Sequence, residues 1–485
     1  MEELRNVIVV GAGPTGLLLA GDLAEAGIQT TLIERHPRGS DLTRAFAVHA
    51  RTLEMLDMRG LAGPLIQRGR QVEGLRLFGR ITVTVRGLPS RFPFVLVTPQ
   101  YEVESLLEER ARNAGAEIVR GTEVTGLRQD GAGAEVDLDD GTKRRAAYVV
   151  GADGHRSTIR RLAGLPFPGR TVIESVMLAD VRLDADPGTL AANPHDHLFA
   201  FIAPFGDGYH RVIAWDADQR APETDPVEMD ELRRITRATI GTDFGMHDPR
   251  WTSRFHSDER QVPRYRAGRV FLTGDAAHEH SPAGGQGMNT GLMDSANLSW
   301  KLAQALTGGP DLLDSYHDER HPVGAAVIRG TGLLLRAAMV RGAPLRALRE
   351  NMAAVALRTP AVQRQIRSAL SGVWVSYPGP PGAHRFTGRR APDIALRGPV
   401  PRLFEALRGG RFVLVSDLPV PAGWEGRVQP ARAARPGLPA LLVRPDGHVA
   451  WAGDRQEGLR QALVSWCGDP VSPARTERAE AAPAR

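Results

Sequence analysis

The sequence predicts a mixed α/β and α+β chain: a Rossmann-like open sheet, a β-rich middle and a small separate unit at the C-terminus. Three observations predict it. An apolar run at 6–10 leads straight into Gly11-Ala12-Gly13-Pro14-Thr15-Gly16 and then an apolar helical pattern. Two further apolar runs, at 148–150 and 270–272, end in turns built on Gly and Asp. A Pro/Gly-rich stretch at 377–382 reads as a linker, and short apolar runs with their own turn follow it. The length of 485 residues fits roughly two or three domains.

The first block holds G-x-G-x-x-G in the context it needs, with a strand before and a helix after. Residues 6–10 are apolar and β-branched, the pattern of a buried strand. Leu17, Leu18, Leu19, Leu23 and Ala24 supply the helix. A second strand at 30–33 ends at Glu34, 18 positions beyond Gly16; the dinucleotide fingerprint expects an acid at roughly 20. Gly11 then permits the tight turn, Gly13 the approach of a pyrophosphate and Gly16 close helix–strand packing. Glu34, with Arg35 beside it, is placed for the adenosine ribose. Pro14 and Thr15 open a helix whose free N–H groups suit phosphates.

The second block is the strand 148–150 followed by Gly151-Ala152-Asp153-Gly154. The third, 269–289, reads R-V-F-L-T-G-D-A-A-H-E-H-S-P-A-G-G-Q-G-M-N. Its strand stops at Gly274-Asp275, a Pro/Gly-rich loop follows at 281–287, and a helical pattern runs from near Met288 to about Ala305. Asp275 suits a sugar-like polyhydroxylated chain. The loop glycines let a flat ring approach the backbone, because Gly has no Cβ. The helix start offers unpaired N–H groups and a partial positive charge.

Composition excludes several classes. The net charge is +5, with no basic stretch interleaved with aromatics, so no nucleic-acid partner is expected. Cys467 is the only cysteine, which fits a reducing cytoplasm and forbids a cysteine cluster. No apolar run reaches roughly 18 residues, so neither a membrane span nor a membrane partner is expected. His278 and His280 flank Glu279, but that spacing suits no metal-binding helix, and no metal is expected. No G-x-S-x-G elbow is present. No residue is nominated as catalytic.

The three blocks, taken in order, resemble those of the group A flavoprotein aromatic hydroxylases, the single-component FAD monooxygenases related to p-hydroxybenzoate hydroxylase. Within them the chain is most similar to polyketide hydroxylases of angucycline and anthracycline pathways and to rifampicin monooxygenases. Residues 44–54 (R-A-F-A-V-H-A-R-T-L-E), the Q-x-x-x-E-x-x-L of 100–107 and the S-Y-H-D-E-R of 315–320 extend the likeness over nearly the whole chain. The resemblance implies a glutathione-reductase-type FAD-binding domain. Gly11, Gly13, Gly16 and Glu34 would hold the adenosine diphosphate half. Arg44, Gln100, Gly274 and Asp275 would hold the phosphate and ribityl region. Pro282, Gly285, Gly287, Met288 and Asn289 would line the isoalloxazine edge. Asp153 and Gly154 are associated with both FAD and the nicotinamide.

The resemblance also implies the chemistry. NADPH or NADH reduces FAD, O2 adds to give a flavin C4a-hydroperoxide, and its distal oxygen passes to a phenolic ring. A Baeyer–Villiger or antibiotic-inactivating outcome is the alternative. Halogenation is disfavoured because the W-x-W-x-I-P of flavin halogenases is missing. A monomer or homodimer acting on an aromatic polyketide is expected.

The division implied is an FAD-binding domain from 1–74, 98–170 and 258–376, and a β-rich substrate domain from 75–97 and 171–257. Phe92, Phe94, Phe201, Phe205 and Trp215 are candidates for an aromatic pocket wall. Arg211 is a candidate for substrate or mobile flavin, with a surface role as the alternative. Residues 383–470 resemble the thioredoxin-like domain appended to such hydroxylases, without its C-x-x-C. The tail 471–485 is charged, rich in Ala and Pro, and expected to be disordered.

Overall fold

A computed structural model describes residues 4–39, 45–77, 81–187, 190–205 and 207–471. Arg44 and the tail from 472 onward lie outside the described residues. The first layer is a six-stranded sheet ordered Arg266–Ala267, Val270–Leu272, Tyr148–Gly151, Asn6–Val10, Gln29–Glu34, Glu117–Arg120. All neighbours are parallel except the first pair. Buried on both faces, its strands read as continuous apolar runs; Val7, Val9, Leu32, Val149, Val150 and Phe271 are all fully buried. The strand order reverses at Asn6–Val10, and a crevice at the carboxyl ends of such strands is where open α/β sheets bind ligands. All three glycine blocks leave the sheet at that edge.

The second layer is an eight-stranded sheet whose long strands are Gly169–Arg182 and His247–Gln261. Its edge strand, His278–Glu279, comes from the third glycine block and pairs with Arg260 and Gln261. The eight-stranded sheet is thus hydrogen-bonded directly to the segment carrying Asp275. One face packs on the helix Met229–Ile240 through Leu232 and Ile235. The other carries Phe205, Ile213, Trp215 and Phe255, together with Phe46.

That second face corrects the expected aromatic wall. Phe201, Phe205 and Trp215 belong to it, whereas Phe92 and Phe94 pack edge-to-face with each other in the main core beside Val85 and Leu88. The segment before Phe92 turns away from the sheet after Ile81–Thr84, which carries both rings inward.

The C-terminal unit is a five-stranded sheet ordered Leu396–Arg397, Val428–Ala433, Phe412–Val415, Ala440–Val443, Val449–Gly453. One parallel pair sits among three antiparallel ones, and the helix Gln456–Cys467 covers the sheet. The expected linker does not start as one. Tyr377 is buried, and its backbone N–H donates to Gly388 O at 2.8 Å. Its hydroxyl lies 3.3 Å from Arg320 Nη1, so the Pro/Gly run is fastened at its first residue.

Candidate functional site

The glycines of the first block are required for three different reasons. Gly11 has φ of +107°, and a Cβ there would collide with the Ala152 carbonyl. Its N–H donates to Ile33 O at 2.8 Å, closing the turn between the neighbouring strands. A Cβ on Gly16 would strike the Gly11 carbonyl. Gly13 differs: its φ is −74°, which any residue adopts, and a Cβ there meets nothing within 4 Å. The fold itself gives no reason for glycine at 13. A ligand lying against the helix N-terminus does, since Gly13 caps Pro14–Glu25 without a side-chain hydrogen bond and leaves the first N–H groups free.

A cavity of about 200 Å³ opens at this point, lined by Gly11, Gly13, Glu34, Arg35, Asp153 and Gly154 among others. Glu34 is oriented by two backbone donors, Ala12 N–H at 2.7 Å and His36 N–H at 2.9 Å. A carboxylate has about four lone-pair sites, so acceptor capacity remains for a ribose. Thr122, Glu123, Val124 and Arg156 also line this cavity. Arg156 follows Gly154 in the second block, whereas 122–124 belong to no motif and only the folded chain brings them there. Asp153 has a structural role as well: its carboxylate accepts from Thr158 N–H at 2.7 Å and Ile159 N–H at 3.0 Å. It therefore helps Ser157 cap a short helix and meets the cavity at its rim. Gly154, at φ +78°, makes the turn.

In the third block the helix observed is Gly287–Leu306, within a residue of expectation, again with no side-chain cap. Gly274, at φ +61°, lies so close to Thr15 that a Cβ would be 2.9 Å from its hydroxyl. Gly291, in the first turns of the helix Gly287–Leu306, approaches the same hydroxyl, so the two uncapped helices meet near their starts. Asp275 is exposed at the same edge. The loop bends at Pro282, whose carbonyl accepts from Gly285 N–H at 3.0 Å, and Met288 is half-buried at the helix start.

Asn289 and Gln100 have roles that the sequence did not show. Asn289 accepts from His49 N–H at 2.9 Å and donates to Ala47 O at 2.9 Å and Gly285 O at 2.8 Å. Its amide is spent on stapling the glycine loop to the Ala47–Val48 strand. Gln100 opens the helix Gln100–Asn113, and its Oε1 accepts from Ala45 N–H at 3.2 Å. It holds the residue next to Arg44.

Two histidines flank the loop. His49 Nε2 contacts Gly285 O at 3.2 Å, while Nδ1 is buried without a partner. His280 Nδ1 contacts Ser281 O at 2.9 Å, and its buried Nε2 also has no partner and faces Gly287. Burial pushes both imidazoles down, His49 to about 4, so both are neutral at physiological pH. His49 stands in the 44–54 segment without an assigned role, and nothing in its spacing marks it. His278 turns the other way, onto Asp294 at 2.7 Å, so the H-E-H histidines do not converge. Burial pushes the Asp294 carboxyl up, but Arg320 and His278 outweigh this and hold it below the carboxylate range.

Arg211 is corrected as well. It is 1% exposed and pairs bidentately with Asp180, both bonds at 2.8 Å. The register sets Asp180 directly opposite Arg211 on the neighbouring strand. Its guanidinium lies over Phe205, Trp251 and Phe46 at 5.0, 5.3 and 5.7 Å. It is no surface residue, and it supports the aromatic face from within the sheet.

Two uncapped helix N-termini, an acid at each end and a glycine floor fit a long dinucleotide that carries a flat ring, and the fold and site together define a flavoprotein. Residues 5–331 match the FAD binding domain family and 384–470 the aromatic-ring hydroxylase C-terminal family. Rifampicin monooxygenase from Streptomyces venezuelae is 40% identical over 96% of this chain and 98% of its own length. The anhydrotetracycline hydroxylase OxyS from Streptomyces rimosus superposes with a TM-score of 0.84 at 37% identity, over 96% of this chain and 99% of that one. CabE, an aromatic hydroxylase from angucycline biosynthesis, gives 0.83 at 34%, covering 97% and 100%. The chain belongs to the FAD-binding aromatic-ring hydroxylases of the p-hydroxybenzoate hydroxylase fold, and it is an FAD-dependent monooxygenase.

Proposed function

We propose that this enzyme hydroxylates a phenolic, polycyclic substrate of the aromatic-polyketide class, with NADPH or NADH as reductant and O2 as oxidant. The observation that carries this is the aromatic face of the eight-stranded sheet. Phe46 and Phe201 lie 5.4 Å apart, and Phe199 stacks on Trp215 at 3.9 Å. Edge strand His278–Glu279 ties that face to the turn at Gly274 and Asp275. Flat rings suit such a surface through offset stacking and apolar burial.

FAD, when bound, supplies the activation of oxygen. The chain's part is positioning. Glu34 and the Gly13 helix start take the adenosine and pyrophosphate. Asp275 would hold the ribityl chain, and the N–H groups at the Gly287 helix start would stabilise negative charge on the ring. His49 and His280, held neutral, each keep one ring nitrogen for a single hydrogen bond. The aromatic face excludes water from the reacting ring. The assignment of residues 75–97 and 171–257 to substrate is part of the same proposal.

A second reading, action on a finished antibiotic, is favoured by the similarity to rifampicin monooxygenase. One experiment separates them. The FAD-loaded enzyme is mixed with NADPH or NADH and a panel of aromatic polyketides plus rifampicin. Accelerated cofactor oxidation, with a polyketide product heavier by one oxygen atom, supports the first. Turnover of rifampicin alone supports the second. Absence of cofactor oxidation with every compound refutes both.

A further inference from the structure

The three helices Asp314–Ala338, Ala343–Ala356 and Pro360–Ser371 carry charge and apolar surface that the site does not use. Residues 321–371 contain eight arginines and one acid, Glu350. That surplus of seven exceeds the +5 of the whole chain, so the remainder of the molecule is net negative. The helix Ala343–Ala356 buries none of its residues. Along it Leu345, Leu348, Met352 and Val355 recur at steps of three and four and are 58%, 54%, 64% and 64% exposed. Leu333 and Leu334, late in the preceding helix Asp314–Ala338, are also exposed, as is Trp374 just after the following helix Pro360–Ser371.

The direction of the stripe follows from its anchors. Arg349 donates to Ala337 O and Ala338 O, and Arg346 pairs with Asp196 beside the eight-stranded sheet. These two positions share one side of the helix with the half-buried Ala353 and Leu357. At roughly 100° per residue, the four exposed apolar residues centre roughly 125° away from that side. The stripe points away from the body, so it does not roof the substrate face.

The charge chooses among occupants. A second copy would bring two surpluses of like sign together, which disfavours association. A protein partner is recognised mainly through Trp, Tyr and Arg anchors seated in pockets, whereas this stripe is aliphatic and convex. A bilayer suits each feature. Leu, Met and Val enter the acyl boundary, Trp settles at headgroup level, and arginines lie over their own stems and reach lipid phosphates. Arg329, Arg336, Arg358 and Arg364 are exposed around it, while Arg341 pairs with Asp218 at 2.6 Å. We propose that the 343–371 helical pair is an in-plane docking surface for an anionic phospholipid bilayer. Among the described residues no helix is long and apolar enough to cross a membrane. That excludes a span, which was the basis for expecting no membrane partner, but it leaves an in-plane helix open.

The test is co-sedimentation of the full-length, FAD-loaded enzyme with two kinds of vesicle, phosphatidylcholine alone and phosphatidylcholine mixed with phosphatidylglycerol. Sedimentation is expected with the mixed vesicles only and is reversed by high salt. Replacing Arg358→Ala and Arg364→Ala together should weaken it roughly 25-fold, at about fivefold per arginine. The double variant Leu348→Ser/Met352→Ser should also lose binding, with the flavin spectrum and melting temperature unchanged. Three outcomes overturn the proposal: no sedimentation with either vesicle, sedimentation that both double variants leave intact, or a dimer in light scattering that Leu348→Ser/Met352→Ser dissolves.

Discussion

Gly13→Ala is the substitution that best separates a glycine kept for the fold from one kept for the ligand. In the apoprotein a methyl group at 13 meets nothing within 4 Å, and φ of −74° is ordinary for alanine. Two small effects then oppose each other. Restricting the unfolded chain stabilises by about 0.4–1 kcal/mol, while alanine is the poorer N-cap by a similar amount. The apoprotein's melting temperature should therefore stay within about 2 °C of the parent. With flavin present, the methyl occupies space needed for close approach to the helix start. Overpacking of that kind costs about 1–3 kcal/mol, or roughly 5- to 150-fold in Kd. The assay is FAD titration of the deflavinated protein by fluorescence quenching, beside thermal unfolding of the same sample. Gly16→Ala is the control: its Cβ would strike the Gly11 carbonyl, so the apoprotein itself should be destabilised. Parental FAD affinity in Gly13→Ala would refute the placement of the pyrophosphate at this helix.

Asp275→Ala removes an exposed carboxylate at the sheet edge and should weaken FAD at least tenfold, at about 1.5–3 kcal/mol for a hydrogen bond to a charged group, with little change in apoprotein stability; equilibrium dialysis against FAD checks it. Glu319→Gln should destabilise by about 3–5 kcal/mol, because Lys301 and Arg444 stay buried around a neutral amide; urea unfolding followed by tryptophan fluorescence measures the loss. The same carboxyl predicts the acid limb. Burial pushes Glu319 up, but Arg444 and Lys301 hold it down at about 2. Its contribution, about 3 kcal/mol at most, is complete above the ordinary 4.5 and is lost as pH falls toward 2. Parent and Glu319→Gln should therefore converge in urea midpoint as pH falls from 4.5 toward 2. At the alkaline end burial lowers Lys301 from 10.5 to about 8, so stability should rise between those values as the buried ammonium loses its proton.

Legibility followed the range of the interactions. The blocks at 11–16, 153–154 and 274–289 were readable because turn, strand exit and helix start are local events with fixed residue demands. What stayed hidden depends on partners far along the chain. Asn289 reads as a ring-edge residue beside the glycine loop, yet its amide is committed to Ala47 and His49, some 240 positions away. Arg211 reads as a polar residue in a strand, and only the register opposite Asp180 makes it a buried pair. Phe92 and Phe94 have the same composition signature as Phe201 and Phe205, and chain direction alone sends them to a different core. The apolar stripe at 345–355 has helical spacing in the sequence, but its failure to find a partner is visible only once the rest has packed.

The S-Y-H-D-E-R segment is the clearest case of local sequence with distant consequence. It lies in the helix Asp314–Ala338, and three of its residues reach in different directions. Tyr316 donates to Leu272 O at 2.9 Å, bracing the strand that delivers Gly274 and Asp275. Arg320 reaches Asp294 at 2.6 Å, and Asp294 in turn holds His278 and the Gly274 N–H. Glu319 faces the other way, onto Lys301 of the flavin-side helix and onto Arg444 of the C-terminal unit at 2.6 Å. Arg444 closes the arrangement on Asp446, whose backbone carbonyl accepts from Arg51 at 2.7 Å. Adjacent residues of one helix therefore fix the turn at Gly274 and Asp275 and the seat of the C-terminal unit. Such buried ion pairs are weak sources of net stability, but breaking one is costly. A C-terminal unit whose only cysteine is Cys467 is thus physically connected to the turn at Gly274 and Asp275. Loosening it through Glu319 should disturb flavin retention as well as unfolding.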